Sequence, residues 1–154
     1  VLLLLGIGAT AGYAMSGWLA DRYGIARVIV FVTAFFILSQ VILALHPSLV
    51  WVQLSSVVFG FTGSFYVMLV AQARQVFPLY MTGISVTAVN MFAIGGVFLL
   101  QWWMGLIVGM FPADASGAYP PIAYSAALLF TASGAFLSLL WYLPMARQEP
   151  AYNG

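Results

Sequence analysis

The sequence has 154 residues, of which 64% are hydrophobic and 5% are charged, with a formal net charge of +1 and no cysteine. A soluble domain carries about 25% charged residues, so this composition excludes a water-soluble globular protein. The small net charge gives no indication of a nucleic-acid partner, and the lack of cysteine excludes disulfides and thiolate metal sites within the sequence. We predict an all-α integral membrane protein with no cofactor and no metal site.

Apolar stretches long enough to cross a membrane occur five times. A helix needs about 20 apolar residues to cross about 30 Å of hydrocarbon. By this measure the sequence opens with a run of leucines that is already inside the first span, without an initiating Met or a basic leader. We therefore expect a fragment that begins within a helix, not a signal peptide. The predicted spans cover residues 1–19, 26–45, 50–73, 83–110 and 122–143.

The first two spans differ in their small and polar residues. In the first span, Gly8, Gly12 and Ser16 recur every four residues, a pattern that lets another helix approach closely in lipid. We interpret this stripe as a packing face, in preference to a ligand site. The second span is apolar except for Gln40 and a few hydroxyl residues, and we expect it to face lipid. His46, in the turn that follows, is interpreted as a solvated loop residue.

The third and fourth spans carry most of the polar residues. Polar groups in hydrocarbon tend to face a bundle interior or a wet cavity. The third span contains Gln53 and Tyr66 among several Ser, Thr and Gly residues, and the fourth contains Asn90 and Gln101. These two amides are eleven residues apart, close to three full turns, and so share one face. We predict that all four residues line a substrate cavity. Two alternatives stay open: hydroxyls that bond to their own backbone, and amides that bond across helices.

The ends of the later spans have recognisable signals. Thr82 is a candidate cap for the fourth span, and residues 111–121 are predicted to form a loop. The fifth span is apolar apart from Ser and Thr, and we expect it to face lipid. Trp141 and Tyr142 are predicted interfacial anchors at its end, and Pro144 is predicted to stop it.

All four basic residues are arginines that fall on one side of this topology. Arg22 and Arg27 lie between the first two spans, Arg74 lies between the third and fourth, and Arg147 follows the fifth. Because basic residues concentrate in the cytoplasmic loops of membrane proteins, we predict that this side, including the C-terminus, is cytoplasmic.

Residues 17–27 are the only place where opposite charges crowd together. The stretch reads GWLADRYGIAR and lies between the first two spans. Its spacing, G-x-L-A-D-R-x-G-x-x-R, resembles the signature loop of the major facilitator superfamily of secondary transporters. That resemblance implies a transporter of twelve spans in two six-helix halves. Counted from the signature loop, these five spans match either spans two to six or spans eight to twelve.

Several features favour spans eight to twelve, and so an incomplete C-terminal half-bundle. The third span lacks the intramembrane Arg, and the fourth lacks the Gly-Pro motif, that such families often carry in the first half. A short basic tail follows the fifth span in place of a long central loop. The later part of the sequence also resembles the P-x(4)-G…N…GG…Q pattern of span eleven in bacterial members, and this implies a bacterial inner membrane. The residues that match this pattern are Pro78, Gly83, Asn90, Gly95, Gly96 and Gln101.

The resemblance also implies a gating role for the charged loop. Gly17 and Gly24 would permit the tight turn, and Asp21 would face the positive end of a helix from the opposite half. Arg22 and Arg27 would pair with nearby acids or carbonyls, so that these contacts hold one access state. The alternative for the loop is topology alone. The implied function is rocker-switch transport of a small solute. The implied partners are that solute, a coupling ion where one is used, the N-terminal half of the transporter and the lipid bilayer.

Two rival functions are a non-transporting membrane scaffold and an intramembrane hydrolase. Ser64 or Ser133 could be proposed as a nucleophile, but such a site needs a base within hydrogen-bond reach, and the only His is in a predicted loop. The predicted spans contain no pair of Asp or Glu residues for an aspartyl mechanism. We therefore do not expect an enzyme. A sugar, a neutral metabolite and an apolar drug all remain possible substrates.

Overall fold

A computed structural model of the chain describes residues 1–45 and 48–147. This part of the chain is all-helical, with short 3-10 turns at Ser64–Tyr66 and Leu79–Met81. The α-helices are α1 (Leu2–Tyr23), α2 (Ile25–Ala44), α3 (Leu49–Gly63), α4 (Val67–Val76), α5 (Thr82–Gly109) and α6 (Pro121–Ala146).

Five segments of this chain are long and apolar enough to cross a membrane, which confirms the predicted number of spans. The third segment contains both α3 and α4, joined by the first 3-10 turn. The largest differences from the predicted ends are at Tyr23, where α1 extends beyond residue 19, and at Leu79, where the fourth segment begins before residue 83. The segments are Leu2–Tyr23, Ile25–Ala44, Leu49–Val76, Leu79–Gly109 and Pro121–Ala146.

Helix α1 packs mainly against α3, through the small residues of both helices. A methyl group at Gly8 would overlap the carbonyl oxygen of Val57, and one at Gly12 would overlap the hydroxyl of Ser64. Gly60 leaves the matching space on α3, because a methyl group there would overlap the backbone of α1. The packing role predicted for Gly8 and Gly12 is therefore confirmed.

Helix α2 lies between α3 and α6 and also contacts α1 and α4. On its other face, Phe31, Phe35 and Leu38 stay exposed. Neighbouring helices occupy one face of α2, which the prediction of a lipid-facing helix did not include, and lipid contact at the exposed face stays a prediction. Uniform apolarity could not show the packed face, since lipid tails and helix neighbours are equally apolar. The buried residues of α2 are Ala26, Val28, Ile29, Ser39, Gln40 and Ala44.

Polar contacts join α2 to α6. The Ser125 hydroxyl donates to the carbonyl oxygen of Ala44 at 2.7 Å, where the end of α2 leaves carbonyls without helical partners. The Thr131 hydroxyl donates to the side-chain oxygen of Gln40. Gln40 is 2% exposed, and its nitrogen has no partner among the described residues. Helix α6 also contacts α5, so neighbouring helices occupy part of its surface too, and lipid contact at its exposed face stays a prediction.

The predicted ends of α6 need correction. Helix α6 continues through Pro144 to Ala146, because a proline in the last turn removes one backbone hydrogen bond without having a long helix to break. The Tyr142 hydroxyl donates to the side-chain oxygen of Gln72 at 2.9 Å, and the anchoring role of Tyr142 stays a prediction. Trp141 is 89% exposed, and its anchoring role stays a prediction.

Two other predicted turns have different outcomes. Thr82 is the first residue of α5 and makes no capping hydrogen bond; its hydroxyl is buried without a partner in the described part of the chain. The cap prediction is wrong because the 3-10 turn at Leu79–Met81 leads directly into the helix, with Met81 at the cap position. The turn at His46 lies outside the described residues.

The predicted loop between α5 and α6 is confirmed, and Asp114 organises it. The Asp114 carboxylate accepts hydrogen bonds from the Ser116 hydroxyl at 2.6 Å, the Ser116 amide at 2.8 Å and the Ala118 amide at 2.9 Å. Gly117 adopts a φ of 81°, a conformation that favours glycine. The hydrogen bond from the Ser116 hydroxyl, followed by those from the backbone, holds the pKa of Asp114 below its ordinary value.

Candidate functional site

The third membrane-crossing segment changes helical geometry at Ser64–Tyr66. The Ser64 hydroxyl donates to the carbonyl oxygen of Phe61 at 2.7 Å, a type of contact that often bends helices. A stretch of 3-10 helix inside a longer helix commonly marks a hinge or local strain. The two halves have different neighbours: α3 packs on α1 and α2, whereas α4 packs mainly on α5.

The buried hydroxyl residues of α3 face other helices. The Ser56 hydroxyl donates to the carbonyl oxygen of Val52 at 2.7 Å, and the Thr62 hydroxyl donates to that of Val58 at 2.8 Å. For these residues the alternative that hydroxyls bond to their own backbone is confirmed. The Ser56 and Thr62 hydroxyls of α3 are therefore satisfied by the backbone of their own helix.

A groove opens at the α4 half of this segment, between α4 and α5 and beside the end of α6. Its volume is about 780 Å³, within the range of about 300–1,000 Å³ that is typical of small-molecule sites. Its polar lining residues are Tyr66, Gln72 and Ser85, and none of the lining residues is charged. We call this the α4–α5 groove, and its other lining residues are Leu69, Ala73, Val76, Phe77, Met81, Ile84, Ala88, Val89, Phe92, Ala93 and Met145.

The polar side chains of the groove are already in contact with other parts of the protein. Gln72 is 7% exposed and accepts the hydrogen bond from Tyr142. The Ser85 hydroxyl donates to the carbonyl oxygen of Thr82 at 3.0 Å. The Tyr66 ring meets the Tyr13 ring edge-on, with 6.5 Å between the ring centroids. The groove therefore offers a solute mainly apolar surface, with an aromatic ring at its α3 end.

Of the four predicted cavity residues, only Tyr66 lines this groove. Gln53, Asn90 and Gln101 are exposed and lie elsewhere on α3 and α5. The two amides of α5 make no side-chain hydrogen bond within residues 1–45 and 48–147. The alternative that they bond across helices finds no support in that part of the chain, and their role as cavity residues stays a prediction.

Sequence reasoning missed Gln72 and Ser85. The helical spacing of the groove residues offered a signal, because Tyr66, Leu69, Gln72 and Val76 recur at intervals of three or four residues along one face. Ser85 begins a similar series on α5. Neither series shows by itself that the two faces meet, because each could equally have faced lipid.

The charged stretch at residues 17–27 is mostly helical, because α1 and α2 are separated only by Gly24. Gly24 has a φ of 84°, and its amide donates to the carbonyl oxygen of Ala20 at 2.9 Å. Gly24 therefore makes the turn, as predicted. Gly17 lies inside α1 with open space around it, so its predicted part in the turn is wrong.

Two of the three charged side chains beside Gly24 interact unfavourably with the dipole of their own helix. Asp21 lies in the last turn of α1, where the helix dipole is negative, and Arg27 lies in the first turn of α2, where it is positive. Arg22, also in the last turn of α1, is favourably placed. All three side chains are exposed, and none forms a salt bridge or side-chain hydrogen bond with another described residue. The pairing predicted for Arg22 and Arg27 therefore finds no partner in this part of the chain.

Comparisons with known proteins gave no match. No protein-family model matches the sequence, and neither a curated protein nor a solved structure matches the chain.

Proposed function

We propose that this chain forms spans eight to twelve of a secondary active transporter of the major facilitator superfamily, which moves a small solute by rocker-switch alternating access. The observation that carries the proposal is the α1–α2 turn. Asp21 and Arg27 each oppose the dipole of their own helix, an arrangement that destabilises a helix end by about 0.3–1 kcal/mol. Both are exposed without a salt-bridge partner among the described residues. A helix N-terminus from a second half-bundle would give Asp21 a favourable neighbour in one access state.

The surface of α5 supports a second half-bundle. Ser85 is the only residue of α5 that is buried within the described chain. Asn90 and Gln101 are exposed among large apolar side chains. An unpaired amide in hydrocarbon costs on the order of several kcal/mol, so this face requires water or protein beside it. A solute cavity between α5 and an N-terminal half of the same transporter provides both.

The proposed solute is neutral. No charged residue lines the α4–α5 groove, and all the arginines lie at helix ends, where the positive-inside rule explains them. We place the arginine-bearing ends and the C-terminus in the cytoplasm of a bacterial cell. A coupling ion, where one is used, would bind to residues of the other half.

Cysteine accessibility tests the proposal without a known substrate. In a cysteine-free form of the complete protein, Asn90→Cys is labelled with a membrane-impermeant maleimide from each side of the membrane. Alternating access predicts labelling from both sides. Asp21→Asn is expected to change the ratio of the two labelling rates about two- to fivefold, the equivalent of about 0.3–1 kcal/mol.

Asp114→Asn is the matched control, because it makes the same substitution at an exposed carboxylate on the opposite side of the proposed topology. It is expected to leave the labelling ratio unchanged. Labelling from one side only, with the same rate in the Asp21→Asn variant, would favour the non-transporting scaffold. Protection from both sides would remove the α5 face from the proposed cavity.

A further inference from the structure

Two arginines line one small cavity at the end of the bundle that carries the α1–α2 turn. The cavity has a volume of about 300 Å³ and lies between the start of α2 and the end of α6. Both guanidinium-bearing side chains are exposed, and no acidic residue within 1–45 and 48–147 lines the cavity. An anion could therefore approach both arginines without repulsion from a carboxylate in the described wall. The lining residues are Arg27, Val30, Phe31, Leu143, Ala146 and Arg147.

A long apolar groove begins where this cavity ends. It has a volume of about 580 Å³, is formed by α1, α2 and α3, and shares Arg27 and Phe31 with the arginine cavity. Along α1 it reaches from Tyr23 to Ile7, a distance of roughly 24 Å at 1.5 Å per residue. Two hydroxyl residues, Tyr23 and Thr62, line it, and the Thr62 hydroxyl donates to its own helix backbone. The groove therefore leads from an arginine at the helix ends into the apolar middle of the bundle.

We propose that the two cavities together bind one anionic phospholipid. The phosphate lies between Arg27 and Arg147, because guanidinium groups bind phosphate oxygens through paired, charge-assisted hydrogen bonds. One acyl chain lies in the apolar groove, entering past Phe31, which is 66% exposed. Basic pockets between membrane helices are known to favour anionic headgroups. The site depends on membrane insertion alone and is independent of the transport proposal.

A lipid suits this site better than a soluble anion. The wall between the two arginines is apolar, and the neighbouring groove is lined by apolar residues except for Tyr23 and Arg27 at one end and Thr62. A headgroup phosphate instead lies at the depth where membrane helices end, with its acyl chain directed along them. A zwitterionic headgroup carries a compensating cation, so the arginine pair should prefer phosphatidylglycerol to phosphatidylcholine.

The test uses the complete protein in detergent, titrated separately with phosphatidylglycerol and phosphatidylcholine that have identical acyl chains. Native mass spectrometry measures the lipid bound at each concentration. The unmodified protein is expected to prefer phosphatidylglycerol, and Arg27→Gln or Arg147→Gln should each reduce that preference about fivefold. The double variant should reduce it about 25-fold if the two arginines act independently. Arg74→Gln is the matched control, because Arg74 is an exposed arginine in the last turn of α4 that lines neither cavity.

Two further arms separate the headgroup from the acyl chain. Inorganic phosphate and a short-chain phosphatidylglycerol should bind more weakly than the long-chain lipid, because neither fills the apolar groove. Arg27→Lys and Arg147→Lys preserve the charge on which membrane topology depends but lose the paired guanidinium hydrogen bonds, so each should keep more of the preference than the Gln variant and less than the unmodified protein. An equal loss in Arg74→Gln, no loss in either single Gln variant, or equal binding of inorganic phosphate would each overturn the proposal.

Discussion

The two halves of the third membrane-crossing segment meet their neighbours in opposite ways. At α3, Gly60 faces the stripe of Gly8 and Gly12, and the backbones of α1 and α3 come into direct contact. At α4, larger side chains hold α5 away, and a groove of about 780 Å³ is left open. The 3-10 turn at Ser64–Tyr66 separates the two halves.

This difference shows how side-chain size sets helix distance where the hydrophobic effect gives no preference. In lipid, apolar side chains gain little by leaving their surroundings, so close packing depends on small residues. Leu69 and Val76 on α4 face Ile84 and Phe92 on α5 across the groove. Bulky residues on both sides prevent the backbone contact that glycines permit between α1 and α3. We call α3 the closed half of this segment, because its backbone contacts that of α1, and α4 the open half, because a groove remains between it and α5.

The largest expected effect is at the closed half. Gly8→Ala places a methyl group against the carbonyl oxygen of Val57, and α1 must move away from α3. We expect a loss of about 1–3 kcal/mol in the free energy of unfolding, measured by denaturant titration in detergent. Gly6→Ala is the matched control, because Gly6 lies on the same helix with nothing within 4 Å of an added Cβ. The comparison fails if both variants change stability equally.

A smaller effect is expected beside the groove, where Tyr142 bonds to Gln72. Tyr142→Phe removes the hydroxyl that donates to the Gln72 side-chain oxygen. Hydrogen bonds between membrane helices contribute about 0.6 kcal/mol on average, so we expect a loss of that size in the same titration. Tyr124→Phe removes a hydroxyl from an exposed tyrosine of the same helix and should leave stability unchanged. A loss above about 1.7 kcal/mol would show that this contact stabilises the bundle more than such bonds usually do.

A small-to-large substitution at the open half should have little effect on stability. Ala88 lines the groove on α5, so Ala88→Leu fills open space and requires no helix to move. We expect a change within about 0.5 kcal/mol in the free energy of unfolding, measured by the same denaturant titration. A loss as large as that of Gly8→Ala would mean that α4 and α5 close on each other, and the contrast between the two halves would disappear.

The features that belong to a single helix, such as its length and its small-residue face, could be predicted from the sequence. Span length and apolarity identified the five segments, and the spacing of Gly8 and Gly12 identified a packing face before its partner was known. The end of α1 was misplaced because Asp21 and Arg22 were interpreted as loop residues, whereas the single Gly24 makes the turn. Charged residues at a helix end can remain helical when they reach the membrane surface.

What the sequence could not predict depends on which helix faces meet. Predicting the α4–α5 groove requires knowing the distance between α4 and α5, and no pattern within one helix contains that distance. Gln53 was predicted to line a cavity and Gln72 was overlooked, although Gln53 is exposed in the structure and Gln72 is buried. The packed face of α2 was overlooked because its composition is the same on both sides. The groove, the burial of Gln72 and the packed face of α2 are properties of pairs of helices, so they become known only from a structure that contains both helices.

The smallest expected effect lies in the loop that joins α5 to α6. Asp114 is exposed, and its pKa is lowered first by the hydrogen bond from the Ser116 hydroxyl and then by those from the backbone. Because the folded-state pKa lies below the unfolded one, the ionised carboxylate favours the ordered loop at neutral pH, and this contribution is lost as the pH falls through the folded pKa.

Ser116→Ala should raise the pKa of Asp114 towards its ordinary value, measured by NMR titration of the carboxyl carbon. The α3 and α4 contacts should be unaffected, since the loop lies beyond both. An unchanged pKa of Asp114 in Ser116→Ala would assign the lowered pKa to the backbone amides of Ser116, Gly117 and Ala118. A change in the stability of the α1–α3 contact would show that the loop influences the closed half.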